Sequence, residues 1–312
     1  MEYAPIVIPT LCRYQHFKEC IDSLKNNPEA VYTDIYISLD CACKDEHLEG
    51  RNKIKKYIET EMTGFRNVFF IEPEENLGCL KNGRNLIEYV FQKNDCLIFT
   101  EDDNVFAPSA LCYLNKGLEK FRNDSEIVAI CANNSSLKKI KKKYRGNYIK
   151  SSNFSAHGYA IWKEKNEEFK QKISRRYINN IGKKLANMWQ IFQSNQTLFF
   201  YFMDVYQKRD SICTSKDGSV QVCDITQSIF CLQENKYAIY PIDCLAINKG
   251  YDGSGSNCEI QTTITEELSQ KQDFEFEKNG QVSSVNKYTK RTIGGLKRSI
   301  IEWYVWLKTK WK

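Results

Sequence analysis

Three consecutive carboxylates, Glu101, Asp102 and Asp103, follow directly on an apolar run at residues 96–100. Neighbouring like charges repel, and a carboxylate removed from water is costly unless a cation or hydrogen-bond donors compensate it. A divalent metal ion binds carboxylate oxygens and would supply that compensation. The alternative is a solvated loop that merely follows a strand, and the triplet alone does not decide between the two.

The segments around the triplet alternate between strand-like and helix-like patterns from residue 5 to residue 131. The predicted strands cover 6–8, 35–39, 68–71, 96–100 and 127–130, and the predicted helices cover about 14–24, 45–61, 80–92 and 108–121. This alternation predicts an α/β fold with a parallel sheet between helices. Ligands of such sheets bind at the carboxyl ends of the strands, which is where Asp40 and the acidic triplet fall.

Beyond residue 131 the regular alternation stops. Helical patterns cover about 164–202 and 224–233, and residues 237–240 form one more predicted strand. A polar stretch over 259–286 is predicted to be a linker. We therefore expect one large domain at 1–258, in which the regular alternation ends at residue 131.

Length and composition exclude several classes of protein. A chain of 312 residues with 42% hydrophobic residues can bury a full core, so global disorder is not expected. The sequence shows no signal-peptide pattern and no apolar window long enough to span a bilayer, which predicts a cytoplasmic location. Thirteen cysteines are scattered through mostly apolar runs and only three histidines are present, so we expect structural thiols rather than a Cys/His metal site.

Several short motifs follow one another in a specific order. They are Ile8-Pro9-Thr10 with Arg13, Ser38-Leu39-Asp40, Asn76-Leu77-Gly78 with Lys81 and Arg84, the acidic triplet, Gly158-Tyr159-Ala160-Ile161-Trp162, Asp224, and the block NKGYDGSGSNC at 248–258. Together they resemble a bacterial glycosyltransferase of the GT-A fold, close to family 2. The resemblance covers residues 4 to 258 and implies a Rossmann-like, mostly parallel sheet flanked by helices. It also implies a nucleotide-binding half at 1–131 and an acceptor-binding half at 132–258.

The resemblance also implies roles for the residues at the strand ends. Asp103 would be the direct ligand of Mn²⁺ or Mg²⁺, and Asp102 would contact the ribose or a metal-bound water. The remaining residues assigned to the nucleotide-sugar site are Pro9, Thr10, Arg13, Asp40, Lys81, Arg84 and Glu101. Among these, Asp40 would accept a hydrogen bond from the base, and Lys81 or Arg84 would reach the diphosphate. Arg84 has the alternative of a surface salt bridge.

The acceptor side depends on a general base, because a sugar hydroxyl must lose its proton during an inverting transfer. Asp224 matches the acid that the family places at the start of a late helix. Its alternative role is that of a helix N-cap, for which Asp is well suited. Asp204 is the second candidate for the base, and Tyr159 and Trp162 are assigned to acceptor binding.

Two positions depart from the family pattern. Asn257 stands where relatives usually have a histidine, which predicts weaker metal binding, a preference for Mg²⁺, or water as the last ligand. His157 replaces an aromatic residue before the GYAIW block, and we expect it to pack rather than to contact the acceptor.

The predicted function is hexosyl or N-acetylhexosaminyl transfer from a nucleotide-diphosphate sugar, with UDP favoured, to a glycan or lipid-linked saccharide. An inactive or weak sugar-nucleotide-binding module on the same fold is the alternative. A sugar-nucleotide pyrophosphorylase is disfavoured because residues 8–13 contain no glycine. Nucleic-acid binding is disfavoured because the lysine run near residue 140 accompanies no recognition motif.

The C-terminal segment at 287–312 carries eight basic residues and a single acid. On a helix, one face would hold the apolar residues Ile293, Leu296, Ile300, Trp303, Tyr304, Leu307 and Trp311. A basic amphipathic helix of this kind binds anionic membrane surfaces. We therefore predict a peripheral location on the inner face of the plasma membrane, with docking of the apolar stripe on the catalytic domain as the alternative.

Overall fold

A mixed, mostly parallel sheet flanked by helices forms the centre of the molecule. The computed structural model describes residues 3–134, 146–210, 213–254, 267–277, 281–282 and 293–310. Within these ranges nine strands form one sheet in the order β11-β7-β9-β6-β8-β4-β1-β2-β3, and β5 pairs with β10 in a separate two-stranded sheet.

The strands are short and mostly buried. They are β1 Ile6–Thr10, β2 Asp34–Leu39, β3 Asn67–Ile71, β4 Cys96–Phe99, β5 Asn104–Phe106, β6 Ile127–Cys131, β7 Tyr148–Ser151, β8 Tyr159–Trp162, β9 Tyr237–Pro241, β10 Ala246–Asn248 and β11 Gln281–Val282.

Ten α-helices and a short 3₁₀ turn at Ala30–Tyr32 accompany the strands in the described ranges. The helices are α1 Tyr14–Lys25, α2 Glu46–Thr60, α3 Cys79–Val90, α4 Ala110–Lys120, α5 Lys163–Lys172, α6 Arg175–Gly182, α7 Leu185–Ser194, α8 Gln196–Tyr206, α9 Asp224–Gln233 and α10 Ile293–Lys310.

The parallel part of the sheet matches the expectation from the sequence. Strand β1 pairs in parallel with β2 and β4, and β2 pairs in parallel with β3, so the carboxyl ends of these four strands meet at one edge. Strand β8 runs antiparallel between β4 and β6. The predicted fold class is therefore confirmed as a mostly parallel α/β sheet, with β8 and the antiparallel β7–β9 pair added.

The helical pattern at 164–202 folds into several helices instead of one. The hydroxyl of Ser174 accepts a hydrogen bond from the N–H of Tyr177 and starts α6. The side chain of Asn195 accepts hydrogen bonds from Thr197 and Leu198 and starts α8. Ser and Asn satisfy the free N–H groups of a first turn, so each of these residues favours a helix start where periodicity alone suggested continuation.

Three hydrophobic clusters make up the core. Two of them lie against the sheet and include Ile8, Ile37 and Val7. The third lies among α6, α7, α8, α9 and α10 and includes Phe199, Phe202 and Trp306. The C-terminal helix α10 is thus part of the folded domain.

The described part of the predicted linker lies against the domain. Phe274 is buried in the main core, and its ring packs edge-on against Tyr113. Lys116 bonds both Asp273 and Glu275.

Within the described ranges, no helix combines the length and the apolar content required to cross a membrane.

Candidate functional site

The ends of β1 and β4 bring two site residues into direct contact. The hydroxyl of Thr10, at the end of β1, donates a 2.7 Å hydrogen bond to Oδ2 of Asp102. Both side chains are buried. The contact follows from the parallel pairing of the two strands, which places their carboxyl ends side by side.

Arg13 links the two aspartates of the acidic triplet. Its Nη2 binds Oδ1 of Asp102, and its Nη1 lies 2.9 Å from Oδ2 of Asp103. Burial alone would lower the pKa of the Arg13 guanidinium, but the two carboxylates outweigh it and raise the pKa. Burial raises the pKa of Asp102, and Arg13 opposes that shift. The Arg13 guanidinium therefore supplies an internal positive charge beside both carboxylates.

Asp103 is held from a second side by Asn248, the last residue of β10. The Asn248 amide donates to Oδ1 of Asp103 at 2.7 Å, and its own oxygen accepts from the N–H of Gly250 at 2.9 Å. A Cβ at Gly250 would lie 2.1 Å from Oδ2 of Asp103, so only glycine fits here without displacing the carboxylate. Both residues belong to the closing motif at 248–258, and no role was predicted for either of them from the sequence.

Residues 249–252 form a strap across the same edge of the sheet. Lys249 Nζ lies 2.9 Å from Glu19, and His16 Nε2 lies 3.1 Å from Asp252. Both partners of the strap belong to α1, the helix that follows Arg13. The strap thus connects the acidic triplet, Arg13 and α1.

Asp40 organises the loop before α3. Its carboxylate accepts hydrogen bonds from the backbone N–H groups of Cys41, Leu77 and Gly78, each at 2.9 Å. The amide of Asn76 makes a longer contact of 3.4 Å. These donors occupy the lone pairs that Asp40 was expected to offer a nucleotide base, so a base must replace one of them in order to bind there.

The two basic residues predicted on α3 have different surroundings. Lys81 is exposed and lies 3.3 Å from Glu75. Arg84 donates a 2.8 Å hydrogen bond to the side-chain oxygen of Gln221, so it is not a surface salt bridge. Gln221 precedes α9, and this contact joins α3 to the loop that carries Asp224. Pro9 lies beside Gly83 of the same helix.

Glu101 and Asp224 lie close enough to interact electrostatically. Burial raises the pKa of Glu101 to about 8, and the negative charges of Asp103, Asp102 and Asp224 add to the shift. The carboxylate of Asp224 reaches solvent, but the surrounding protein displaces enough water to raise its pKa. Because the two carboxylates interact, the predicted base lies near the acidic triplet.

Asp224 is the first residue of α9 and does not cap it. The N–H of Cys223 donates to the hydroxyl of Thr226 at 2.9 Å, and these two residues form the cap. Oδ1 of Asp224 accepts only the N–H of the next residue, Ile225, among the described contacts. Cys223 also forms a disulfide with Cys213, which the sequence analysis did not predict.

Asp204, the second candidate for the base, belongs to an ion-pair cluster elsewhere. It binds Arg209 at 2.9 Å and Arg298 of α10 at 2.8 Å. The Asp204 carboxylate therefore connects α8 to α10 and is not brought to the acidic triplet.

The residues assigned to the acceptor occupy different ends of β8. Tyr159 lies beside Phe99, at the edge of the sheet that carries the acids, and is buried against Phe154. Trp162 pairs with Cys96, at the opposite end of β4, and is buried in the core. The structure therefore does not bring Trp162 to the site.

His157 lies near Asp224 and contacts the strap. Its ring is edge-on to Tyr251, with centroids 6.3 Å apart. The histidine also interacts electrostatically with Asp224 and lowers the pKa of that carboxyl. His157 therefore interacts with the predicted base, in addition to the packing role expected from the sequence.

The acids offer a donor set suited to a hard cation. Carboxylate oxygens are the ligands that Mg²⁺ and Mn²⁺ prefer, and two of them suffice where phosphates and water complete the shell. Within the described ranges, no group of three or more His, Cys, Asp or Glu side chains is arranged to hold a metal. Asp102 and Asp103 would suit such an ion if Arg13 released them. Asn257 lies outside the described residues.

A family model for glycosyl transferase family 2 matches residues 6–193 of the chain. The match includes β1 to β8 and the acidic triplet, so the chain belongs to this family. Its mostly parallel sheet and the position of its site at the strand ends are those of a GT-A-like fold. No curated protein sequence matches the chain.

Solved structures show distant similarity to the chain. TarS from S. aureus matches at 15% identity over 42% of this chain and 22% of its own, with a TM-score of 0.32. The bifunctional glycosyltransferase WbbM in its apo form matches at 12% identity over 55% of this chain and 34% of its own, with a TM-score of 0.33. HddC from Yersinia pseudotuberculosis, complexed with GMP-PN, matches at 14% identity over 51% of this chain and 77% of its own, with a TM-score of 0.30. The chain thus spans between a fifth and about a third of the first two proteins, and the family assignment rests on the sequence model.

Proposed function

We propose that the chain transfers a hexosyl or N-acetylhexosaminyl group from a UDP-sugar to a saccharide or lipid-linked saccharide, with inversion at the anomeric carbon. The observation that carries this proposal is the cluster of Thr10, Arg13, Asp102 and Asp103 at the strand ends. The electrostatic interaction of Asp224 with Glu101 supports the assignment of Asp224 as the base.

The donor side of the reaction places negative charge on the leaving diphosphate. Asp103, with Asp102 beside it, would hold Mn²⁺ or Mg²⁺, and such an ion neutralises that charge when bound. Arg13 is the second source of positive charge, because its guanidinium already lies at the two acids and can turn towards phosphate oxygens.

The acceptor side needs a carboxylate that can take a proton. Asp224 is accessible to solvent and is not used as a cap, and its raised pKa makes it a stronger base than an ordinary aspartate. Asp224 would accept the proton of the acceptor hydroxyl while the sugar moves to the oxygen.

A panel of nucleotide sugars with and without Mn²⁺ tests the donor, because a ligand of the native state raises the Tm. Asp103→Ala should abolish transfer and remove the metal-dependent part of UDP binding. UDP binding that keeps its full metal dependence in this variant would contradict the assignment. Slow hydrolysis of the bound UDP-sugar separates the enzyme from a binding module, which would bind the donor without turnover.

We also propose that α10 holds the protein at the cytoplasmic face of a membrane. Four residues of the predicted apolar stripe are exposed, and they are Leu296, Ile300, Tyr304 and Leu307. The helix packs on the domain mainly through another face, which includes Ser299, Glu302 and Trp306. An apolar stripe left outside a packed helix, with lysines beside it, has the composition of an interfacial helix.

Point substitution tests this proposal better than truncation. The indole N–H of Trp306 donates to the carbonyl of Gly182 at 2.6 Å, so deletion of residues 288–312 would open the cluster between α6 and α9. Ile300 is 72% exposed, and Ile300→Glu should reduce binding to vesicles of phosphatidylcholine and phosphatidylglycerol without unfolding the domain. Unchanged binding in this variant would remove α10 from the proposal.

A further inference from the structure

Helix α7 adds two exposed apolar side chains beside α10. Leu185 is 55% exposed at the first position of α7, and Trp189 is 49% exposed one turn later. The ring of Trp189 lies 6.1 Å from that of Trp303 on α10, measured between centroids. Neither Leu185 nor Trp189 belongs to the C-terminal stripe that the sequence indicates.

Trp303 connects the two sets of side chains. With about 100° between successive residues of a helix, Leu296, Ile300 and Leu307 occupy the flank of α10 next to Trp303. The exposed residues of α10 therefore begin where the contact with α7 ends. We define the α7–α10 face as the surface formed by Leu185, Trp189, Leu296, Ile300, Tyr304 and Leu307.

Basic residues from both elements border this face. Lys183 and Lys184 are exposed immediately before α7, and Lys297 and Lys308 are exposed on α10. Helices α6 and α7 contain no acidic residue, and α10 contains one, Glu302.

Glu302 of α10 and Asp204 of α8 are both paired with arginines. Glu302 is buried and lies 2.7 Å from Arg209. Asp204 of α8 lies 2.8 Å from Arg298. Each of these ion pairs is neutral. The positive charge beside the α7–α10 face therefore comes from the four lysines.

We infer that the whole α7–α10 face is a docking surface for anionic lipid, and that α7 contributes to it as a second element. This inference rests on the proposed membrane association and extends it from a terminal helix to a composite surface. Exposed tryptophan and tyrosine suit the headgroup region, and lysines reach outward to anionic phosphates while their stems lie on apolar surface. The charge of the face favours anionic lipid over a neutral protein surface.

Leu185→Glu tests the contribution of α7 in the full chain. The first turn of a helix favours a carboxylate, so the variant should fold while a charge replaces the apolar contact. Leu48→Glu is the matched control, because Leu48 is 46% exposed in the first turn of α2, on another part of the molecule. The readout is cosedimentation with vesicles of phosphatidylcholine and phosphatidylglycerol, with circular dichroism and Tm as folding controls.

We expect Leu185→Glu to weaken vesicle binding by roughly tenfold, because the bilayer no longer buries one leucine side chain. Leu48→Glu should bind vesicles as the wild type does. Added salt should weaken the binding of Leu48→Glu and of the wild type. If Leu185→Glu lowers the Tm strongly, the double variant Lys183→Gln, Lys184→Gln replaces it, since these exposed side chains can be changed without altering the core. This double variant should bind less well to anionic vesicles.

Each contrary outcome has a distinct meaning. If Ile300→Glu fails to bind while Leu185→Glu and the lysine variant bind normally, α10 acts alone and the inference is wrong, although the membrane proposal stands. If the wild type does not bind vesicles, both are wrong. A wild-type dimer that Leu185→Glu converts to monomers would assign the face to a second copy of the chain and overturn the inference. None of these readouts depends on sugar transfer.

Discussion

Nη1 of Arg13 lies 2.9 Å from Oδ2 of Asp103, in the position where a metal ion would be expected to bind this carboxylate. The same guanidinium binds Asp102. Arg13 and a divalent cation bound at this site would therefore compete for the same oxygen atoms.

The first prediction follows from this competition. Arg13→Gln should bind Mn²⁺ more tightly than the wild type in the absence of donor, by on the order of tenfold, because a competing charge is removed. Free Mn²⁺ can be measured by electron paramagnetic resonance. Arg66→Gln is the control, since Arg66 pairs with Asp34 at the other end of β2. Weaker Mn²⁺ binding in Arg13→Gln would mean that Arg13 orients the acids for the metal.

The second prediction concerns the strap. Gly250→Ala places a methyl group 2.1 Å from Oδ2 of Asp103, so the carboxylate or the strap must move. We expect donor binding to weaken by about 1–3 kcal/mol, the usual cost of overpacking, in titration calorimetry with UDP and Mn²⁺. Gly83→Ala is the control, because its added methyl meets Phe99 at an ordinary distance of 3.4 Å. Equal effects of the two changes would remove the special role of Gly250.

The third prediction addresses the general base. Asp224→Asn should reduce turnover by about two orders of magnitude or more, with little change in the KM for the donor. Folding should be retained, because the asparagine oxygen can still accept the N–H of Ile225. Asp217→Asn, in the loop before α9, is the control and should stay fully active. Activity within a few-fold of wild type in Asp224→Asn would exclude this residue as the base.

The fourth prediction is a pH profile. As the proposed base, Asp224 would accept a proton only when ionised, so turnover should rise with pH through its pKa, which burial raises above the usual range. A histidine of ordinary pKa is charged below about pH 6.5, and His157 lowers the pKa of Asp224. His157→Asn should therefore move the acidic limb of the profile to higher pH. A limb that stays in place, or that moves to lower pH, would contradict the coupling.

The sequence was informative where chemistry and local periodicity coincide. Short apolar runs that end in polar residues predicted the parallel strands β1, β2 and β4. The same pattern predicted the position of the acids that follow β4. Periodicity does not indicate strand direction, so the antiparallel course of β8, and with it the position of Trp162, emerged only from the fold.

Long-range partners were the other gap. Asn248 contacts Asp103 across 145 residues, and Arg209 neutralises Glu302 across 93 residues. A helical wheel of α10 marks Glu302 as a solvent-facing acid, because it contains no information about Arg209. The wheel therefore found the apolar stripe and missed the face by which α10 packs.

The docking of α10 also has a consequence for distance. Trp306 fixes this helix to Gly182 of α6, and Glu302 fixes it to Arg209, just beyond α8, so the helix cannot move away from the domain without breaking buried contacts. On a bilayer, the proposed enzyme would thus stand on a rigid base, with Asp224 at a constant height above the lipid. A lipid-linked saccharide would reach Asp224 only when its length matches this distance from the bilayer. The attachment of α10 would therefore select acceptors by their length.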